Sequence, residues 1–357
     1  MKLKRLITAA ALALAAAAVL TGCASGKTDS DRIAVKVLIL PKFEVSEITG
    51  DFPGEAQYYY DEYLAGGEEY TVRGSGGDTK LYYRDGVALC ILGQGKISAA
   101  LGTDAVLSDP RFDFSDACFI STGCGGAAAG YGVLGDVYVV SACADYDLGH
   151  HADPREMSGD RETTWFRDET LDGIAVIRTD PALTDAVYGL VSDVRLETTD
   201  RTEKYMKASF PGEEWADRRP CVLRGTSVTG DNFWKGGYDH QNALLITETY
   251  GCADPYAVTE MEDIAVGRVL DSFGMLDRLV ILRAAVNMDV FTPGVTPETL
   301  WGEQSDDSIA SDDSEESADI FATAMENNFR VGKVIIDEIM SGGLDSLLSD
   351  GRQADAA

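Results

Sequence analysis

Between Val87 and Ser141 the chain spells out a strand, a glycine turn, a helix, a strand and a second glycine turn, and this order constrains the fold more than any other stretch. An apolar run, Val87 to Leu92, ends in Gly93-Gln94-Gly95-Lys96. A helical pattern follows from Ile97 to Leu107. A second buried-strand run, Ala117 to Ser121, breaks into Thr122-Gly123-Cys124-Gly125-Gly126, and Gly135-Asp136 leads to a third run, Val137 to Ser141. Strands and helices alternating through short glycine turns predict an α/β protein with parallel strands. In such sheets ligands bind beyond the carboxyl ends of the strands, where these turns are expected.

The flanking sequence extends the pattern. Ala34 to Leu40 reads as the first strand, and Tyr58, Tyr59, Tyr60 and Tyr63 fall in a helix, where packing is their expected role. Ile174 to Ile177 is strand-like, and Pro181 to Leu190 reads as a helix with Asp180 as its cap. Trp165 and Trp215 are isolated and read as packing residues. A helix opens after Val258-Thr259-Glu260-Met261-Glu262 and runs to about Phe273; Leu279 to Ala285 is the next strand. Residues 302–319 are rich in serine and acid and read as a mobile loop, before an amphipathic closing helix from Ile320 to Met340. The expected organisation is one large domain over 33–345, with a short tail at 346–357.

The amino terminus reads as an export signal over residues 1–22: Lys2, Lys4 and Arg5, then an apolar run from Leu6 to Leu20 that is short for a membrane span. Leu20-Thr21-Gly22-Cys23 has the form of a lipobox, making Cys23 the lipidated first residue of the mature chain and residues 23–32 a linker. The expected location is therefore the cell envelope, exported and held to the membrane by lipid. With 30 basic against 60 acidic residues the net charge is −30. Loss of the signal makes it more acidic still, which excludes a nucleic-acid partner. The seven cysteines form no C-x-x-C and the three histidines do not cluster with them. No metal site or disulfide pairing is assigned.

Taken together, G-x-G-K-x-x-A-A (Gly93 to Ala100), T-G-x-G-G (Thr122, Gly123, Gly125, Gly126) and G-D-x-x-V-x-S (Gly135 to Ser141) resemble the nucleoside phosphorylase and nucleosidase superfamily. Phe43-Glu44 followed by T-G-D-x-P-G-E-x-Q (Thr49 to Gln57), with Asp153 to Met157, is similar to one branch of it, the purine nucleoside permease family. The resemblance covers about Val35 to Met340. It implies a nucleoside phosphorylase-like mixed central sheet flanked by helices, and a purine nucleoside or nucleobase as ligand. Gly230-Asp231-Asn232-Phe233 resembles the superfamily's G-D-x-F stretch, where the aromatic packs on the base; that role falls on Phe233, with Trp234 beside it. Glu260-Met261-Glu262 resembles its E-M-E motif, which places Met261 under the ribose and Glu262 on the ribose hydroxyls. Gly123 and Cys124 stand where relatives carry glycine and serine next to phosphate, ribose or water.

Two departures bear on mechanism. Asn287 stands where relatives commonly carry the aspartate that protonates the purine N7; an amide donates a hydrogen bond but not a proton. Asp289 is the substitute acid. Ser121 stands where phosphorylases carry an arginine for phosphate. Water is therefore favoured over phosphate as nucleophile, no cofactor is expected, and Glu44, then Glu47, are the candidate bases to orient it. The resemblance implies a nucleosidase-like enzyme releasing base and sugar, or a non-catalytic binding protein that feeds a separate transporter. A homo-oligomer is a family-level expectation.

Overall fold

The computed structural model describes residues 32–74, 77–159, 161–301 and 315–346. The export signal with Cys23, most of the acidic stretch and the tail beyond 346 lie outside the described residues. Ten strands build the central sheet: β1 (Val37–Leu40), β2 (Glu68–Gly74), β3 (Gly77–Arg84), β4 (Val87–Cys90), β5 (Cys118–Ala127), β6 (Val137–Asp145), β7 (Val176–Arg178), β8 (Val222–Thr229), β9 (Tyr256–Glu260) and β10 (Leu279–Met288). They follow the order β7-β6-β8-β9-β5-β1-β4-β3-β2, while β10 pairs with both β5 and β6. The circuit β5-β10-β6-β8-β9 therefore closes on itself, and β1, β4, β3 and β2 extend from it as an open wing. The sheet is mixed: β1 runs parallel to β4 and β5, β8 to β6 and β9, and β10 to β5, whereas β9–β5 and β10–β6 are antiparallel.

Among the described residues the longer helices that cover it are α1 (Lys96–Leu107), α2 (Pro181–Val191), α3 (Asp200–Ser209), α4 (Gly237–Thr249), α5 (Asp263–Ser272) and α6 (Glu315–Ser341). Every residue of β1 and β4 is buried, the pattern of strands covered on both faces. On one face Ala99 and Val106 of α1 join Ile264, Val266 and Leu270 of α5. On the other, Leu183 and Val187 of α2 join Met325, Val331 and Ile335 of α6. Asp180 caps α2 as expected, its carboxylate accepting from the Leu183 N–H at 2.8 Å. Tyr59 is a packing residue: its hydroxyl donates to Asn328 Oδ1 of α6 at 2.8 Å, and Tyr58 stacks on Phe329.

Two expectations need correction. The closing helix begins at Glu315, so the end of the acidic stretch is helical and not loop. More consequentially, Thr122-Gly123-Cys124-Gly125-Gly126 is no turn: β5 runs straight through it to Ala127. Its glycines serve close approach instead. A Cβ at Gly123 would stand 2.5 Å from Glu55 Oε1, and one at Gly126 3.2 Å from Asn287 Nδ2. The first glycine turn is as expected, with Gly93 and Gly95 at positive φ before α1.

Candidate functional site

The carboxyl ends of β1, β5, β9 and β10 converge with the turn before α1, and at their centre lies Arg283 of β10, almost wholly buried. Its Nε donates to Asp263 Oδ2 at 2.8 Å, and its Nη1 to the Cys124 carbonyl at 2.9 Å. Its Nη2 reaches Asp263 Oδ1 at 2.8 Å and Glu260 Oε2 and Glu262 Oε2 at 3.1 Å each. Lys42, just beyond β1, is equally buried; its Nζ donates to the Leu40 carbonyl at 2.6 Å and to Ser121 Oγ at 2.8 Å. Ser121 Oγ in turn donates to Asp263 at 2.7 Å. Burial, reinforced by the Arg283 charge, lowers the Lys42 pKa. Burial alone would raise Asp263, but the Arg283 guanidinium outweighs it and holds the carboxyl below its usual value. Burial and the Asp263 charge raise Glu260.

The three acids of the β9–α5 corner divide their work. Glu260 Oε2 accepts the N–H groups of Glu262 and Asp263, both at 2.7 Å, and so caps α5. Asp263 holds Arg283 and Ser121. Glu262 is held at both oxygens, Oε1 by the Gly95 N–H at 2.9 Å and Oε2 by Arg283. Met261 is half-buried at the corner between them. Cys143, Glu260 and Asp263 come close enough to share an ion, but Arg283 already bonds both carboxylates.

The two candidate bases, Glu44 and Glu47, are tied within their own loop. The Glu44 carboxylate is spent on backbone: it accepts from the N–H groups of Val45 at 2.9 Å, Ala56 at 2.9 Å and Gln57 at 2.7 Å, and from Gly54. It ties down the Phe43–Gln57 loop. Glu47 lies exposed, its N–H donating to Asp51. The acid that reaches the site is Glu55, which the sequence reading passed over. It is 5% exposed, and its Oε1 accepts from the Cys124 N–H at 2.8 Å while Oε2 accepts from the Lys42 N–H at 2.7 Å. Burial raises its pKa against the pull of Arg283 and Lys42. Burial and the neighbouring Glu55 charge likewise raise the Cys124 thiol well above its ordinary value.

Asn287 pairs with Gly126 across β5 and β10, immediately after a bulge at Val286. Bulges re-aim side chains at sheet rims and beside functional sites. Its Nδ2 donates to the Met288 carbonyl at 3.3 Å. Asp289 is engaged away from Asn287: it is fully buried, and accepts from the Ala129 N–H at 2.9 Å, His240 Nδ1 at 2.7 Å and the Tyr256 hydroxyl at 2.9 Å. Phe233 is 59% exposed, whereas Trp234 is buried and stacks on Tyr146, with ring centroids 5.2 Å apart. Trp234 borders a cleft of about 600 Å³ lined also by Lys96, Tyr146, Asp147, His151, Asp231 and Asp239. Its buried indole N–H has no acceptor among the described residues. Lys96 lies between Asp145 at 2.9 Å and Asp147 at 2.7 Å; burial acts to lower its pKa, but the bonds to these two aspartates outweigh it and raise it.

A family profile described as purine nucleoside permease matches residues 34–344. The chain belongs to the purine nucleoside permease family. Its relatives include a probable purine nucleoside permease of Schizosaccharomyces pombe, 27% identical over 220 residues that span 55% of this chain and 63% of the relative. A purine nucleoside permease of Candida albicans is 27% identical over 240 residues, 61% of this chain and 58% of the relative. The chain thus matches less than two thirds of the length of either. Among solved structures, the 5′-methylthioadenosine/S-adenosylhomocysteine nucleosidase of Helicobacter pylori with butyl-thio-DADMe-Immucillin-A superposes with a TM-score of 0.52 at 13% identity, covering 85% of this chain and 99% of that one. Futalosine hydrolase of the same organism gives 0.50 at 14% identity, covering 85% and 98%. At such identities the likeness establishes the fold, and it agrees with the single mixed-sheet domain described above. Among the described residues, no helix of this family member is long and apolar enough to cross a membrane.

Proposed function

We propose that the protein binds purine nucleosides where β5, β9 and β10 end, and cleaves the N-glycosidic bond with water. The observation that carries this reading is the pairing of two buried carboxylates with different tasks around the glycine face of β5: Glu262, fixed by Gly95 and Arg283, and Glu55, raised by burial. Glu262 accepts from the ribose hydroxyls over Met261. Glu55, and not Glu44, takes the proton of the attacking water. The water oxygen bonds to C1′ as the bond to the purine breaks, and its electron pair stays with the base. Asn287 steadies that base by hydrogen bonding, Phe233 packs on its face, and solvent supplies the final proton. The protein is exported and lipid-anchored at Cys23; Cys23→Ser should then block lipid attachment, and recovery of unmodified wild-type Cys23 would overturn the anchor.

Water is preferred to phosphate because the anion-binding groups are already occupied. The first N–H groups of α1, a natural anion site, go to the protein's own carboxylates: Gly95 to Glu262 and Lys96 to Asp231 at 2.7 Å. The Lys96 ammonium is held by two aspartates, and Ser121 by Lys42 and Asp263. The test is incubation of the mature body with inosine, guanosine and adenosine, with and without phosphate. Free base and ribose at equal rates in both are expected. Ribose 1-phosphate as main product would overturn the choice of nucleophile. The second reading, a binding protein that hands nucleosides to a separate transporter, is favoured by Asn287, which cannot protonate the leaving base; tight binding with no free base in any incubation would establish it.

Glu262→Ala should weaken nucleoside binding, since charged hydrogen bonds are worth about 1.5–3 kcal/mol each. A 2′,3′-dideoxynucleoside should bind wild type poorly, yet lose little more in the variant. Additive losses in a titration series would remove Glu262 from the ribose.

A further inference from the structure

We propose that Asp289 and His240 are a positioning pair that sets the loop bearing Phe233 and Trp234 against the strand end bearing Asn287, and so governs affinity for the purine base. The inference rests on the nucleoside reading above and extends it to residues that touch no substrate.

The loop between β8 and α4 is fixed at its start by the Gly230 N–H on the Glu260 carbonyl at 2.9 Å and the Asp231 N–H on Asp147 at 2.8 Å. At its other end Asp289 supplies two anchors, beside the stacking of Trp234 on Tyr146 and the Tyr146 hydroxyl on Asp239 at 2.6 Å. The Asp289 carbonyl accepts the Gly236 N–H at 2.8 Å, and its carboxylate accepts His240 Nδ1, in the first turn of α4, at 2.7 Å. Asp289 stands two residues beyond Asn287. Its Oδ1 also accepts the Ala129 N–H, two residues past the end of β5. A single, fully buried carboxylate therefore joins the segment that follows the glycine strand, the strand end of Asn287 and the far end of the Phe233 loop. The His240 bond ties the first turn of α4 to that carboxylate, so its loss loosens the loop at that end while the Gly236 N–H stays on the Asp289 carbonyl. Tyr256 bonds the same oxygen, Oδ2, but from the start of β9, and carries no part of the loop.

That difference supplies the test. Adenine, hypoxanthine, adenosine and inosine are titrated calorimetrically into wild type, His240→Phe, His240→Gln and Tyr256→Phe, with the Tm of each. His240→Phe should weaken adenine and hypoxanthine about ten- to a hundred-fold. Both nucleosides should weaken by the same factor, leaving the ratio of nucleoside to base affinity unchanged. His240→Gln, which keeps a donor, should recover most of the loss. Tyr256→Phe should lower Tm while keeping base affinity. The pair is only structural, and the proposal fails, if Tyr256→Phe loses as much base affinity as His240→Phe at a similar Tm, or if His240→Phe binds bases as wild type does. Wild type that binds none of the four would overturn the nucleoside reading itself, a result visible before any variant is compared.

Discussion

Glu55→Gln is expected to lower turnover by about 10²–10⁴-fold, the usual contribution of a correctly placed general base, while nucleoside affinity changes little. Glutamine keeps the shape of the side chain and one acceptor for the Cys124 or Lys42 N–H, but it cannot take a proton from water. The pH profile gives an independent reading. Burial places the Glu55 pKa above its ordinary 4.5, so the ionised, active form fills in as pH rises through that raised value. Wild-type kcat/KM should therefore climb along an acid limb that Glu55→Gln lacks. Glu44→Gln is the necessary comparison. Its carboxylate anchors the Phe43–Gln57 loop through four backbone N–H groups, so this variant should lose Tm yet retain most of the turnover of the molecules that stay folded. Turnover retained in Glu55→Gln but lost in Glu44→Gln, with binding intact, would return the base role to Glu44.

The proposed choice of Glu55 over Glu44 is one that the sequence does not make. Both belong to the stretch that carries the resemblance, and motif spacing says which acids are near a site, not which face inward. The choice is made by a loop closure thirteen residues long, from Lys42 to Glu55, which periodicity does not report. The helix α1, the turns at Gly93 and Gly95, the cap at Asp180 and the closing helix were legible because local patterns determine them. The glycines of β5 were misread for a related reason. Glycine marks both turns and close approach, and the partners crowding Gly123 and Gly126 lie at Glu55 and Asn287, far along the chain. The buried ion cluster has no local signature: Lys42 just beyond β1, Asp263 at the start of α5 and Arg283 within β10 meet only in three dimensions. Glu260 was visible as part of E-M-E but carried no assigned task, because its role, capping α5, is fixed by the corner geometry.

Arg283→Met should be the most destabilising substitution in the site. Methionine fills a similar volume without a charge, and leaves Glu260, Glu262 and Asp263 buried without the guanidinium that bonds all three. The remaining cation, Lys42, stands 3.9 Å from Asp263 and is committed to Leu40 and Ser121. Breaking a buried ion pair by removing one partner costs about 3–5 kcal/mol, and here several carboxylates lose their partner together. The sign of the pH dependence separates this cause from a packing defect. In wild type Asp263 is held below its ordinary pKa, so its contribution is present above the unfolded value and fades as pH falls through the lowered one. In the variant burial acts on Asp263 and Glu260 without the Arg283 charge against it and raises their pKa, so protonation favours the folded state. Urea midpoints should therefore show the variant gaining stability as pH falls from 8 toward about 5, while wild type, whose Asp263 is still ionised there, keeps its Arg283 bonds. The gap between the two proteins narrows with acid. A gap that stays constant across that range would mean that the loss comes from shape and not from stranded charge, and that the carboxylates at the centre of this site do not depend on Arg283 to remain ionised.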